Sequence, residues 1–103
     1  MKHLVIHKSC IDDDLKFLKL DEKSRQERLR ALQTISGLEI IDEPVIYFEG
    51  HNLGDIGSMF NYGDEVMLYG AYLGKCLKSA EESLLENDIT VKYHEEGCVD
   101  ISY

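Results

Sequence analysis

The stretch 65–93 constrains the fold of this chain most strongly, because a helical pattern lies between two strand patterns. Residues 66–69 are four consecutive apolar residues without alternation, which is typical of a strand covered on both faces. After Gly70, apolar residues recur at steps of three and four over 73–85, the spacing of an amphipathic helix. Apolar and polar residues then alternate over 89–93, as in a strand with one wetter face. The stretch therefore predicts a β-α-β unit with parallel strands.

The front half of the chain predicts further elements of the same kind. Residues 2–7 form a short strand pattern expected at the centre of the sheet, and residues 45–48 form a second buried strand. The acidic run 12–14 is expected to cap a helix that begins at Leu15, with a metal-binding cluster as the alternative. A surface helix is predicted over 21–36 and ends at Gly37; its basic residues form either a solvated face or a docking face (Lys23, Arg25, Arg28 and Arg30).

These elements together predict one α/β domain over 1–103. Strands separated by helices favour a small three-layer domain with a mostly parallel, Rossmann-like sheet of about four to five strands. Gly97 is expected to let residues 98–101 turn back as an edge strand. In such sheets ligands gather at the carboxyl ends of the strands. His7, the loop after Phe48 and the residues after Gly70 are therefore expected to converge there.

Cys76 falls within the first turn of the predicted helix after Gly70. Unpaired N–H groups and the helix dipole favour an anion at this position, and Lys75 and Lys78 add positive charge. The alternative is a structural side chain, because free cysteine is among the most buried residue types. The pattern alone leaves both interpretations open.

The stretch 65–102 resembles a known family in the spacing of Gly70 and Cys76 and in a downstream strand that ends in Glu-Gly-Cys at 96–98. The resemblance is to the isochorismatase-like cysteine hydrolases, which include nicotinamidases and carry their nucleophile in a pattern close to G-x-x-T-x-x-C-V. It implies Cys76 as the nucleophile toward a small amide or ester carbonyl. The backbone N–H groups of Gly74 and Lys75 would then hold the oxyanion.

Several family positions carry a different residue in this chain. His7 follows the first strand where the family has an aspartate, although a histidine can also accept the thiol proton. Leu73 replaces the family's threonine, and no lysine between Lys23 and Lys75 matches the family's catalytic lysine. The chain is also shorter than family members. These departures favour a compact, degenerate relative over an active hydrolase.

The glycine-rich loop 49–63 is predicted to be mobile or to face a ligand, and to contain a short helix. It includes three polar residues that suit such a role, His51, Asn52 and Asp55. The histidines and cysteines lack metal-ligand spacing, and no C-x-x-C pair is present, so neither a metal nor another cofactor is expected and the thiols are expected to be free.

Charge and hydropathy limit the partners. Twenty acidic against eleven basic residues give a formal charge of −9, which disfavours direct contact with nucleic acid or an anionic membrane. No apolar stretch approaches the roughly 18 residues of a membrane span, and the start of the chain does not match a secretory signal, so a cytoplasmic location is expected. A protein with a basic surface is the better-matched partner, and exposed sheet edges favour a homodimer.

Three functions are compatible with these features. The first is a non-catalytic relative of the hydrolases that binds another protein. The second is a hydrolase with Cys76 as nucleophile and His7 as base. The third is an acidic mimic of nucleic acid that blocks a DNA-binding protein, which rests on net charge alone.

Overall fold

The computed structural model describes residues 1–101 and contains a four-stranded parallel sheet with the strand order β2-β1-β3-β4. Ser102, the last residue of the family resemblance, lies outside the described residues. The elements are β1 (Lys2–Ile6), α1 (Lys8–Phe17), α2 (Glu22–Ser36), a first 3₁₀ segment (Gly37–Ile40), β2 (Val45–Phe48), a second 3₁₀ segment (Leu53–Met59), β3 (Glu65–Ala71), α3 (Cys76–Glu86) and β4 (Thr90–Val99).

The sheet is covered on both faces, so the predicted three-layer α/β fold is confirmed. Alternate residues of β1 point to opposite faces, because side chains in a strand have a period of two. Val5 packs in a core with residues of α1 and α2, including Ile11 and Ile35. Leu4 and Ile6 pack in a second core, formed with α3 and the second 3₁₀ segment. The first strand is therefore central, as its apolar run predicts.

The strand 45–48 has the predicted bounds and lies beside the first strand, but the prediction that it is strongly buried is wrong. β2 lies at the edge of the sheet, and its side chains are half-buried, apart from the exposed Tyr47. An edge strand has a neighbour on one flank only. Apolar content alone does not distinguish such a strand from a central one.

The acidic run does not cap a helix, so that prediction is wrong. α1 begins at Lys8, directly after β1, and contains Asp14 on its buried face. Asp14 forms an ion pair with Arg28 of α2, with 3.0 Å between the Arg28 Nε and Asp14 Oδ2 atoms. Arg28 is therefore buried rather than part of a basic surface. α2 itself follows the prediction, because Asp21 caps it by accepting a hydrogen bond from the N–H of Ser24 at 2.7 Å.

The predicted turn-back after Gly97 is also wrong. Cys98 and Val99 continue β4 and pair with Gly70 and Ala71 of β3 after an irregularity in the register. The ring of Tyr69 explains why the strand continues. It stacks on His94, and a Cβ atom at Gly97 would collide with it, so the irregular part of β4 is packed onto β3.

Candidate functional site

His7 is fixed at the carboxyl end of β1. It adopts a left-handed conformation (φ 51°), and its N–H donates to the carbonyl of Phe48 at 2.8 Å. Its Nε2 atom lies 2.6 Å from the carbonyl oxygen of Gly50. Because a carbonyl oxygen only accepts, Nε2 carries the proton, and neutral His7 has its free lone pair on Nδ1. His7 is 8% exposed, and its ring stacks on Phe48 with 6.3 Å between the centroids.

One of the three predicted loop residues lies against His7. The ring centroid of His51 is 6.4 Å from that of His7 in an edge-on arrangement. Asn52 and Asp55 instead bond to each other, since the Asn52 side chain donates to the Asp55 carboxylate at 2.7 Å. This bond lies at the start of the second 3₁₀ segment, which is the short helix predicted within the loop.

Cys76 lies in the first turn of α3, as predicted, although the helix begins at Cys76 itself and not at Leu73, where the apolar spacing begins. It is half-buried and packs against the core formed with α3. Within residues 1–101, no hydrogen bond joins Cys76 to His7. The N–H of Lys75 donates to the carbonyl of Tyr72 at 3.0 Å, and this bond would have to break before that N–H could hold an oxyanion. Gly74 forms the turn before the helix with φ 75°.

Sequence reasoning did not single out Cys10, which lies in the first turns of α1. Burial and the negative charges of Glu49 and Asp14 raise the pKa of the Cys10 thiol, and Cys76 contributes in the same direction. Two thiols therefore lie at the carboxyl end of the sheet, each near the start of a helix that follows a central strand. Their similar placement after β1 and β3 is the sequence signal that could have revealed Cys10.

A buried ion pair holds the turn after β3 in place. The hydroxyl of Tyr72 donates to the Asp14 carboxylate at 2.7 Å, and burial together with that carboxylate raises the pKa of Tyr72. The other side of Asp14 is occupied by Arg28, which also donates to the carbonyl of Asp100 at 2.8 Å. These contacts connect α1, α2, the β3–α3 turn and the residues after β4. These contacts form a network that holds the elements together, and we assign it a structural role.

The opposite end of the sheet is acidic. Because all four strands are parallel, their amino ends lie on one side, and five acidic residues precede or begin β2, β3 and β4 there. We call this surface the acidic edge: Asp42, Glu43, Asp64, Glu65 and Asp88. Lys2 pairs with Asp64 at 2.7 Å, and the amino terminus pairs with Glu43 at 3.3 Å. Within residues 1–101, the other three carboxylates are exposed and have no ion pair.

Residues 1–101 contain neither a metal-binding cluster nor a membrane-spanning helix. In residues 1–101, no group of three or more His, Cys, Asp or Glu side chains is arranged to hold a metal ion. In the same part of the chain, no helix has the length and apolar character needed to span a membrane.

Compared with protein-family models, curated proteins and solved structures, the chain matches none of them. The resemblance to the isochorismatase-like hydrolases therefore depends on the residues quoted for it. By its fold, the chain belongs to the class of small α/β domains with a four-stranded parallel sheet.

Proposed function

We propose that this chain is a non-catalytic α/β domain, a degenerate relative of the isochorismatase-like hydrolases, that binds another protein through that protein's basic surface. The observation that carries the proposal is the acidic edge, where the amino ends of parallel strands collect carboxylates. Asp42, Glu65 and Asp88 supply negative charge there, and no ion pair within residues 1–101 neutralises it. A basic surface would pair with them.

The arrangement of the carboxyl end supports a role without catalysis. A thiol nucleophile needs a base within hydrogen-bond reach. Cys76 and His7 have no such bond, and His7 is packed between Phe48 and the loop, with Nε2 engaged by Gly50. The Lys75 N–H is also in use. His7 and Lys75, to which a hydrolase would give catalytic roles, are thus engaged in hydrogen bonds within the fold.

The proposal makes binding dependent on salt and on the position of the charges. The Debye length is about 10 Å at 0.1 M salt, so attraction between exposed charges weakens steadily as salt is added. Each exposed ion pair is worth about 0.2–1 kcal/mol. Removing three carboxylates from the binding surface should then weaken binding by about threefold or more, whereas removing three from another surface should have a much smaller effect.

Fluorescence anisotropy of a labelled decalysine peptide tests this. The edge variant D42N/E65Q/D88N is compared with the control D13N/E82Q/E96Q, whose exposed carboxylates lie on α1, α3 and β4. Both variants carry a net charge of −6, from −9 plus three. Residue 88 has φ 58°, a conformation that asparagine tolerates.

The expected result is weaker peptide binding by the edge variant and nearly unchanged binding by the control. Equal losses in the two variants would mean that net charge, not the acidic edge, attracts the peptide. Failure of the unmodified chain to bind at low salt would also overturn the proposal. A nucleic-acid mimic is a special case, in which the chain competes with DNA for a DNA-binding protein.

The position of Cys76 favours hydrolysis as the second candidate function, because it follows β3 and begins α3, where the resemblance places the nucleophile. Alkylation rates of each cysteine, measured against pH by peptide mapping, test this candidate. Selective reaction of Cys76 well below pH 8.5 would identify an activated thiol and would justify a screen of small amides and esters. Slow or unselective reaction of Cys76 would argue against the hydrolase.

A further inference from the structure

One flank of β2 presents unpaired backbone groups. The N–H of His3 donates to the carbonyl of Pro44 at 2.9 Å, and the N–H of His7 donates to that of Phe48 at 2.8 Å. The carbonyls of Pro44 and Phe48 therefore face β1. Successive residues of a strand point their backbone groups to opposite flanks, so the residues between Pro44 and Phe48 face β1 and the open flank in turn. Val45 and Tyr47 therefore direct their N–H and C=O groups away from β1. Within residues 1–101, no strand lies beyond β2 to pair with them.

The two open edges of the sheet differ in charge. β2 has the sequence Val-Ile-Tyr-Phe and contains no charged residue. β4 carries the exposed residues Lys92, Glu95 and Glu96 and an irregularity in its pairing with β3. Charged side chains and bulges are the usual protection of an edge against pairing with another chain. In a chain of net charge −9, β2 is thus the edge that a second copy can meet without charge on the pairing strand.

We propose that two copies of this chain associate by antiparallel pairing of β2 with β2 about a two-fold axis through Ile46. In this register Val45 of each copy lies opposite Tyr47 of the other, and each facing pair exchanges two N–H···O bonds. The strand is therefore complementary to itself, as a two-fold interface requires. The two four-stranded sheets become one continuous sheet.

The side chains suit this register. Val45 and Tyr47 are aligned with His3 and Val5 of β1, so they project from the face that α1 and α2 cover. Tyr47 is 49% exposed in the single chain. Pairing places its ring beside the β-branched Val45 of the second copy, an arrangement that stabilises antiparallel strands.

The same register places Glu43 opposite Glu49 of the second copy. Both carboxylates already have partners in their own chain. Glu43 accepts from His3 at 2.9 Å, and Glu49 accepts from the N–H of Ser9 at 3.0 Å. The remaining repulsion between two acidic chains is screened by salt, so association should strengthen as salt is raised. Peptide binding at the acidic edge should weaken under the same change, which separates the two proposals.

Sedimentation velocity over about 1 µM to 1 mM protein, at low and moderate salt, tests the association. The variant Tyr47→Lys adds a charge to the open edge, and Tyr62→Lys is the matched control, because Tyr62 is 84% exposed in a loop away from β2. The expected result is a dimer that forms at high concentration and is tighter at higher salt. Tyr47→Lys should abolish it, and Tyr62→Lys should leave it unchanged.

Amide hydrogen exchange adds a residue-specific measurement. Raising the protein concentration should slow exchange at the Val45 and Tyr47 amides, whereas the Ile46 amide faces β1 and should be protected at every concentration. A chain that stays monomeric at 1 mM would overturn the proposal. A dimer that survives Tyr47→Lys, or one without added protection at Val45 and Tyr47, would do the same by placing the interface elsewhere.

Discussion

The substitution Asp14→Asn should destabilise the protein by about 3 kcal/mol. Removing one partner of a buried ion pair costs about 3–5 kcal/mol, because the other charge stays buried without compensation. Arg28 is 1% exposed, and its Nε atom lies 3.0 Å from Asp14. The lower end of this energy range applies, since Arg28 keeps two other partners. It donates to the Glu27 carboxylate at 2.8 Å and to the carbonyl of Asp100 at 2.8 Å. Asparagine keeps the shape of Asp14 and an oxygen that can accept from Tyr72.

The effect should be large relative to the total stability. Domains of this size unfold with a free energy of about 5–15 kcal/mol, and each kcal/mol shifts Tm by about 4–8 °C. Urea unfolding followed by far-ultraviolet circular dichroism should therefore give a lower midpoint at an unchanged slope. Glu27→Gln removes the more exposed contact of the same arginine and should cost less than about 1 kcal/mol.

A double variant tests whether an unpaired charge causes the loss. Asp14→Asn/Arg28→Met leaves no buried charge at this position, so it should be more stable than Asp14→Asn alone. Additive losses in the double variant would show that the two side chains are not coupled. A loss below about 1 kcal/mol for Asp14→Asn would equally refute the reasoning.

Three further predictions concern packing, a buried thiol and a helix cap. Gly57→Ala should lower the urea midpoint, because a Cβ atom there collides with the carbonyl of Ser83. Gly37→Ala is the control and should not lower the midpoint, because a Cβ atom there meets no neighbouring atom. Equal midpoints for the two variants would contradict this prediction. Burial raises the pKa of Cys98 to about 12, so iodoacetamide at pH 8.5 should modify it far more slowly in the folded than in the unfolded chain, and equal rates in peptide mapping would exclude its burial. The hydrogen bond from the N–H of Ser24 in α2 lowers the pKa of Asp21. The stability lost in Asp21→Ala should therefore be largest above about pH 4 and should shrink as the pH falls through the pKa of the folded state. A pH-independent loss of stability in urea titrations would contradict the role of Asp21 as a helix cap.

Several elements follow from the sequence because their signals are local. The uninterrupted apolar runs predict β1 and β3 as covered strands, and the three- and four-residue spacing after Gly70 predicts α3 with Cys76 in its first turn. Asp21 and Gly37 mark the two ends of α2. Alternation of strands and helices is sufficient to predict a parallel sheet with helices on both faces.

Part of the candidate site also follows from this reasoning. Parallel strands end on the same side of a sheet, so the meeting of His7 with the loop after β2 is predictable. The bond from His7 to Gly50 is not, since it spans 43 positions and places the ring proton on Nε2, which leaves Nδ1 as the basic nitrogen. Whether Cys76 is a reactive thiol stays a prediction.

The amino-acid sequence by itself determined the fold class, the central strands and the net charge, because periodicity, caps and composition involve residues that are near each other in the chain. Only the tertiary structure decided that Asp14 is buried against Arg28, that β2 is an open edge and that β4 continues past Gly97. These features depend on which distant surfaces come together. The buried charge of Asp14 is tolerated because α2 supplies Arg28 as its partner. β2 is an edge strand because, within residues 1–101, no strand pairs with its outer flank.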